Sequence, residues 1–69
     1  MSQELRKAIY EIRDDAAALQ KKVDAIEKLR NLSLSEIQMA REAGNTLRGF
    51  RGFALGTLAS AAGIEKLEI

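Results

Sequence analysis

Leu5, Ile9, Ile12, Ala16, Leu19, Val23 and Ile26 follow one another at steps of 4, 3, 4, 3, 4 and 3. A mean step of about 3.5 residues is the period of a helix that keeps one apolar stripe against another helix. The pattern predicts a first helix over about 3–31. Ile9, Ala16 and Val23 take heptad position a, and Leu5, Ile12, Leu19 and Ile26 take position d. The stripe fails at Arg30, the next a position. Ala8 and Leu29 at position g widen it beyond a strict two-stranded seam, which suits a bundle. Lys22 at g and Glu27 at e are placed to pair across a parallel dimer, while the other edge positions are not complementary. Asp24 and Lys28 form an i,i+4 pair worth about 0.2–0.5 kcal/mol.

The helical pattern stops and restarts within residues 31–37. Ser33 and Glu36 have the spacing of a capping box, in which the hydroxyl accepts from the Glu36 amide and the carboxylate accepts from the Ser33 amide. Leu32 and Ile37 are spaced as its hydrophobic staple, and Ser35 with Gln38 offers a second register. The second helix is expected over about 34–62, with Gly63 as its C-cap. Its inner face reads Ile37, Ala40, Ala43, Leu47, Phe50, Ala54, Leu58 and Ala61. A break is possible near 44–46, where Gly44 and Asn45-Thr46 resemble a stop and a fresh start; a continuous or kinked helix is the preferred reading. So short a connection folds the two helices into an antiparallel hairpin. Ile64, Leu67 and Ile69 form an apolar tail that should pack on something.

Composition strengthens the all-α reading. Pro is absent, where average usage would give about three, and the only aromatic residues are Tyr10, Phe50 and Phe53. The 69 residues make one domain, 1–69. A chain of this length gains only about 3–5 kcal/mol from its own core. It has no Cys and no His, which removes disulfides and the usual zinc sites as staples. Association with further copies is the remaining way to bury apolar surface. The expected architecture is therefore an all-α antiparallel hairpin assembling as a homo-oligomeric helical bundle, most simply a dimer of four helices.

Charge narrows the partners. Eleven basic and ten acidic residues leave a net charge of +1, too little to gather nucleic acid or an anionic membrane. The N-terminal Met-Ser-Gln-Glu-Leu-Arg-Lys stretch shows no apolar signal region, so a cytoplasmic location is the default expectation.

Three features are candidates for function. Gly52 to Ile64 is a run of thirteen residues without charge, in which Gly52, Gly56 and Ser60 recur every fourth position. Small residues at that spacing form a groove for a second backbone, although core packing within the hairpin would also account for them. The run is shorter than the ~20 apolar residues that span a membrane. Second, Arg48-Gly49-Phe50-Arg51-Gly52-Phe53 repeats Arg-Gly-Phe, and Arg48 with Arg51 is a candidate clamp for a carboxylate or phosphate. Third, Tyr10 and Arg13 lie one turn apart off the stripe and match the composition of interface hot spots. Met39 is placed as peripheral core or contact surface.

Nothing points to catalysis. The chain lacks His and Cys, Ser33 and Ser35 are explained by capping, and Asp14 and Asp15 point about 100° apart on a helix. No metal and no cofactor are expected. The preferred reading is a non-enzymatic interaction protein that self-associates and binds and modulates a protein partner. By class-level analogy, short helical proteins of this kind occur among phage and mobile-element inhibitors of host systems. The alternative is an oligomer that sequesters a small phosphate-bearing ligand such as a nucleotide through Arg48 and Arg51. A third reading is a structural or membrane-associated subunit.

Overall fold

A computed structural model describes residues 3–68. Helix α1 spans Gln3–Ala25, α2 spans Leu34–Gly49 and α3 spans Leu55–Ala61. A π-helical stretch, Phe50–Ala54, joins α2 to α3 without a break, so the second arm runs straight through residues 44–46. The arms lie antiparallel in a rod of 48 × 16 × 14 Å, and the described residues contain no strand. No described helix is long and apolar enough to cross a membrane.

The turn follows the sequence logic closely, with one correction. α1 ends at Ala25 rather than near residue 31, because Ile26–Lys28 tightens into a 3₁₀ turn and Leu29 is extended. Asn31 then adopts a left-handed conformation, φ 66°, which Asn tolerates better than other side-chain-bearing residues. The capping box forms as read: the Ser33 amide donates to Glu36 Oε1 at 2.9 Å, and the Glu36 amide donates to Ser33 Oγ at 3.1 Å. Leu32 and Ile37, the staple pair, are both half-buried.

At the other end, Gly63 caps α3 with φ 81°. Its amide donates to the Ser60 carbonyl at 3.1 Å and the Ile64 amide donates to the Ala59 carbonyl at 2.9 Å, the pairing of a Schellman motif. Arg6 Nε donates to the Ala62 carbonyl at 3.2 Å, placing a cation at the negative end of the helix dipole. Ile9, Leu55, Ala59 and Ala62 form the core here, with Ile64 and Leu67 packed against it. The tail therefore finds a seat in its own hairpin; Ile69 lies outside the described residues.

The seam between the arms differs from the predicted one on both sides. On α1, Ile9 and Ala16 are buried and Val23 half-buried, as expected of position a. The second buried row falls at position e, with Gln20 buried and Arg6 and Arg13 half-buried. The d residues Leu5, Ile12, Leu19 and Ile26 are instead 36–49% exposed. On the second arm the inward residues are Ala40, Gly44, Leu47, Arg51, Leu55, Ala59 and Ala62. Ala43, Phe50, Ala54, Leu58 and Ala61, expected inside, are exposed. From Phe50 onward the cause is the π stretch, where the Leu55 amide donates to the Phe50 carbonyl five residues back. A π turn holds about one residue more than an α turn. Successive inward steps of four, from Leu47 to Ala59, then replace the alternating 3 and 4 and displace the face by one residue.

Candidate interaction faces

Two antiparallel helices are related by an approximate two-fold axis normal to the plane that contains them. The same step away from the buried row therefore leads to the same face of the hairpin on either arm. On α1 the residues just before the buried e row are Leu5, Ile12, Leu19 and Ile26. On the second arm the residues just before Gly44, Arg51, Leu55, Ala59 and Ala62 are Ala43, Phe50, Ala54, Leu58 and Ala61. All are exposed, all are apolar, and they share one face. The residues just after the buried rows, Tyr10, Ala17 and Asp24 on α1 and Arg41, Asn45, Arg48, Gly52, Gly56 and Ser60 opposite, share the other.

Bonds across the arms agree with this division. Arg48 pairs with Asp24 at 2.8 Å and its second amino group donates to Asn45 Oδ1 at 3.2 Å. Glu27 pairs with Arg41 at 2.6 Å. Asp24 thus serves Arg48 rather than Lys28, because the helical i,i+4 geometry ends at Ala25. Glu27, read as a partner for Lys22 of a second chain, is already used within the hairpin.

Gln20 is the residue that sequence reasoning missed. It is 6% exposed. Its Nε2 donates to Asp24 Oδ1 at 3.0 Å and to the Gly44 carbonyl at 3.2 Å, and its Oε1 accepts from Arg51 at 3.2 Å. The signal available was slight: Gln20 is the one uncharged residue among the e positions Arg6, Arg13, Gln20 and Glu27. Gly44, taken for a possible stop, is where α1 and α2 approach. A Cβ there would lie 3.0 Å from Asp24 Oδ1.

The other candidate residues fall as follows. Arg13 stacks on Tyr10, its guanidinium carbon 5.0 Å from the ring centre, and pairs with Asp14 at 2.9 Å. Such a cation–π contact is worth about 0.5–1 kcal/mol at an exposed site. Tyr10 lines an open groove of about 1070 Å³ between α1 and residues 63–66. Arg48 lines a small recess of about 250 Å³ that also holds Asp24 and Glu27, so carboxylates already answer its charge. Arg51 does not line that recess; its Nε is buried without a hydrogen-bond partner. Gly52 and Gly56 have open space where a Cβ would stand, so no close helix approach inside the hairpin explains them. Met39 is exposed.

Glu36 is the one described group with a clearly displaced acidity. The Ser33 amide, and then the Ser33 hydroxyl, hold its carboxyl below the ordinary value of 4.5. The described residues contain no cluster of three or more His, Cys, Asp or Glu able to hold a metal ion. No family model, curated protein or solved structure matches this chain.

Proposed function

We propose that this protein is a non-enzymatic helical interaction module that works by covering its apolar face with protein. The observation that carries the reading is a continuous apolar row on one face of the hairpin. Outward positions on a water-soluble helix are ordinarily polar. Here Ile12, Leu19, Ile26, Phe50 and Leu58 line a single exposed face, with Ala43, Ala54 and Ala61 between them. Contiguous apolar surface rimmed by polar residues marks contact with another macromolecule. The opposite face, with the stacked Tyr10 and Arg13, is the surface proposed to meet and modulate a second protein, since aromatic and Arg side chains supply most interface energy.

Placing a photo-crosslinking side chain at position 19, 10 or 21 in turn tests this in the cells that make the protein. Positions 19 and 10 should give discrete adducts, and position 21, on neither patch, should give none. Adducts at twice the chain mass report self-contact; heavier ones report another protein. Absence of any adduct at both 19 and 10 overturns the interaction reading.

A further inference from the structure

We propose that a second copy of this chain covers the apolar face, with α1 antiparallel to the α1 of its partner and a two-fold axis passing beside Leu19. This rests on the interaction reading and names the occupant and its orientation.

The amount of surface argues for a copy. The chain exposes 5357 Å². A folded monomer of 7.6 kDa exposes about 4300 Å² by the usual scaling of area with mass. The excess of about 1000 Å² follows from the elongated shape of the hairpin and leaves ample surface for the roughly 800 Å² that each partner contributes to a standard interface. A single hairpin face of matching length supplies that area, and a second copy of this one does so with no further component.

Charge fixes the orientation. Asp15 and Lys22 both occupy position g, on the outer flank of the apolar row of α1. Neither has a partner among the described residues. They lie equally far on either side of the level between Ala18 and Leu19. A two-fold axis crossing α1 at that level brings Asp15 of each copy opposite Lys22 of the other, forming two pairs at once. It also brings Ile12 of one copy within one residue of register with Ile26 of the other, with the two Leu19 side chains beside the centre. The Gln20 side chain bonds both the Gly44 carbonyl and Arg51, so Leu19 lies level with the stretch between Gly44 and Phe50, and the same axis brings the two Phe50 rings within about a turn of the centre. The alternative stacking, α1 over the α2 of the partner, sets Asp15 and Lys22 beside the flank formed by Glu42, Gly49, Phe53 and Thr57, where Asp15 meets no cation.

Sedimentation equilibrium of the full chain over the micromolar range tests the proposal. The wild type should be a dimer. Leu19→Glu should be a monomer that keeps its helical circular dichroism, since Leu19 is 49% exposed and lies outside the buried core cluster. Asp15→Lys and Lys22→Asp alone should each dimerise about tenfold more weakly, as two attractive pairs become repulsive. Mixed together, those two variants should form a heterodimer in preference to either homodimer, because all four charges are then matched. A wild type that stays monomeric overturns the proposal, while heavier adducts at position 19 in cells would leave the interaction reading standing. A dimer indifferent to the charge reversals, with no preference on mixing, overturns the orientation. An assembly larger than a dimer overturns the single two-fold axis.

Discussion

One face of the hairpin is closed by its own bonds and the other is left open. On the closed face, Asp24–Arg48 and Glu27–Arg41 tie the arms near the turn. Their side chains remain 37–67% exposed, so each pair contributes at most about 1 kcal/mol, and less in salt. The open face offers apolar side chains instead, and covering the remaining 36–49% of each Leu, Ile or Phe there would be worth about 0.5–1.5 kcal/mol. The comparison teaches that the charged face chooses how the arms pair, whereas the apolar face holds most of the stabilisation still to be gained. The middle layer alone is thin: among the described residues, Ile9 and Leu55 are the only large side chains that are almost fully buried.

The largest effect should come from that layer. Leu55→Ala removes a side chain that is 1% exposed from the cluster of Ile9, Ala59 and Ala62 and should cost about 2–5 kcal/mol. Leu58→Ala, three residues on but 40% exposed on the open face, should cost the isolated hairpin well under half of that. Urea unfolding of both variants in the Leu19→Glu background separates the two sites without interference from assembly. Equal losses would mean that Leu58 is as much part of the hairpin core as Leu55 and would dissolve the distinction between middle layer and open face.

A smaller pair of changes probes the closed face. Gly56→Ala places a methyl in open space within a helix and should stabilise the hairpin by up to about 1 kcal/mol. Gly44→Ala has the same intrinsic gain, but its methyl meets Asp24 Oδ1 at 3.0 Å and must shift by a few tenths of an ångström the carboxylate that holds Gln20 and Arg48. Its net effect should fall near zero or below. Thermal melts of the two variants decide the matter; the same gain at both positions would show that the Gln20–Asp24–Arg48 network contributes nothing.

How much of this was legible follows from where each signal is stored. Ser33, Glu36 and Gly63 act through backbone groups within a few residues, so the start of the second arm and its C-cap stand where the sequence placed them. The hairpin follows from those local signals together. The seam does not, because a and d positions are equally apolar in a heptad, and only the partner arm decides which row it covers. Here polar Gln20, Arg51 and Gly44 claim the a/e side, and nothing in α1 alone announces that. The π stretch was hidden for a related reason. Phe50, Ala54, Leu58 and Ala61 have good α periodicity, and the extra residue becomes visible only when Leu55 and Ala59 are seen inside. Of the candidate residues, Arg48 and Arg51 looked alike in the repeated Arg-Gly-Phe, yet one meets a carboxylate across the arms and the other an amide.

The smallest effect concerns Glu36, which caps α2 at the end of the hairpin where the closed face begins. Its carboxyl is held below the ordinary value of 4.5 by the Ser33 amide and hydroxyl, so the folded state binds the proton less readily than the unfolded chain does. The capping contribution of the charge is therefore fully present above that ordinary value and is lost as pH falls through the lower, folded-state one. Wild type should melt slightly above Glu36→Gln at neutral pH, since Gln keeps the hydrogen bond but loses the charge at the helix N-terminus. The gap should close as the pH is taken below 4.5. Melting curves of both proteins across that range, again in the Leu19→Glu background, give the answer. A gap that persists unchanged at low pH would mean that the carboxylate acts through shape alone, and that the electrostatic part of the cap contributes nothing to where the second arm begins.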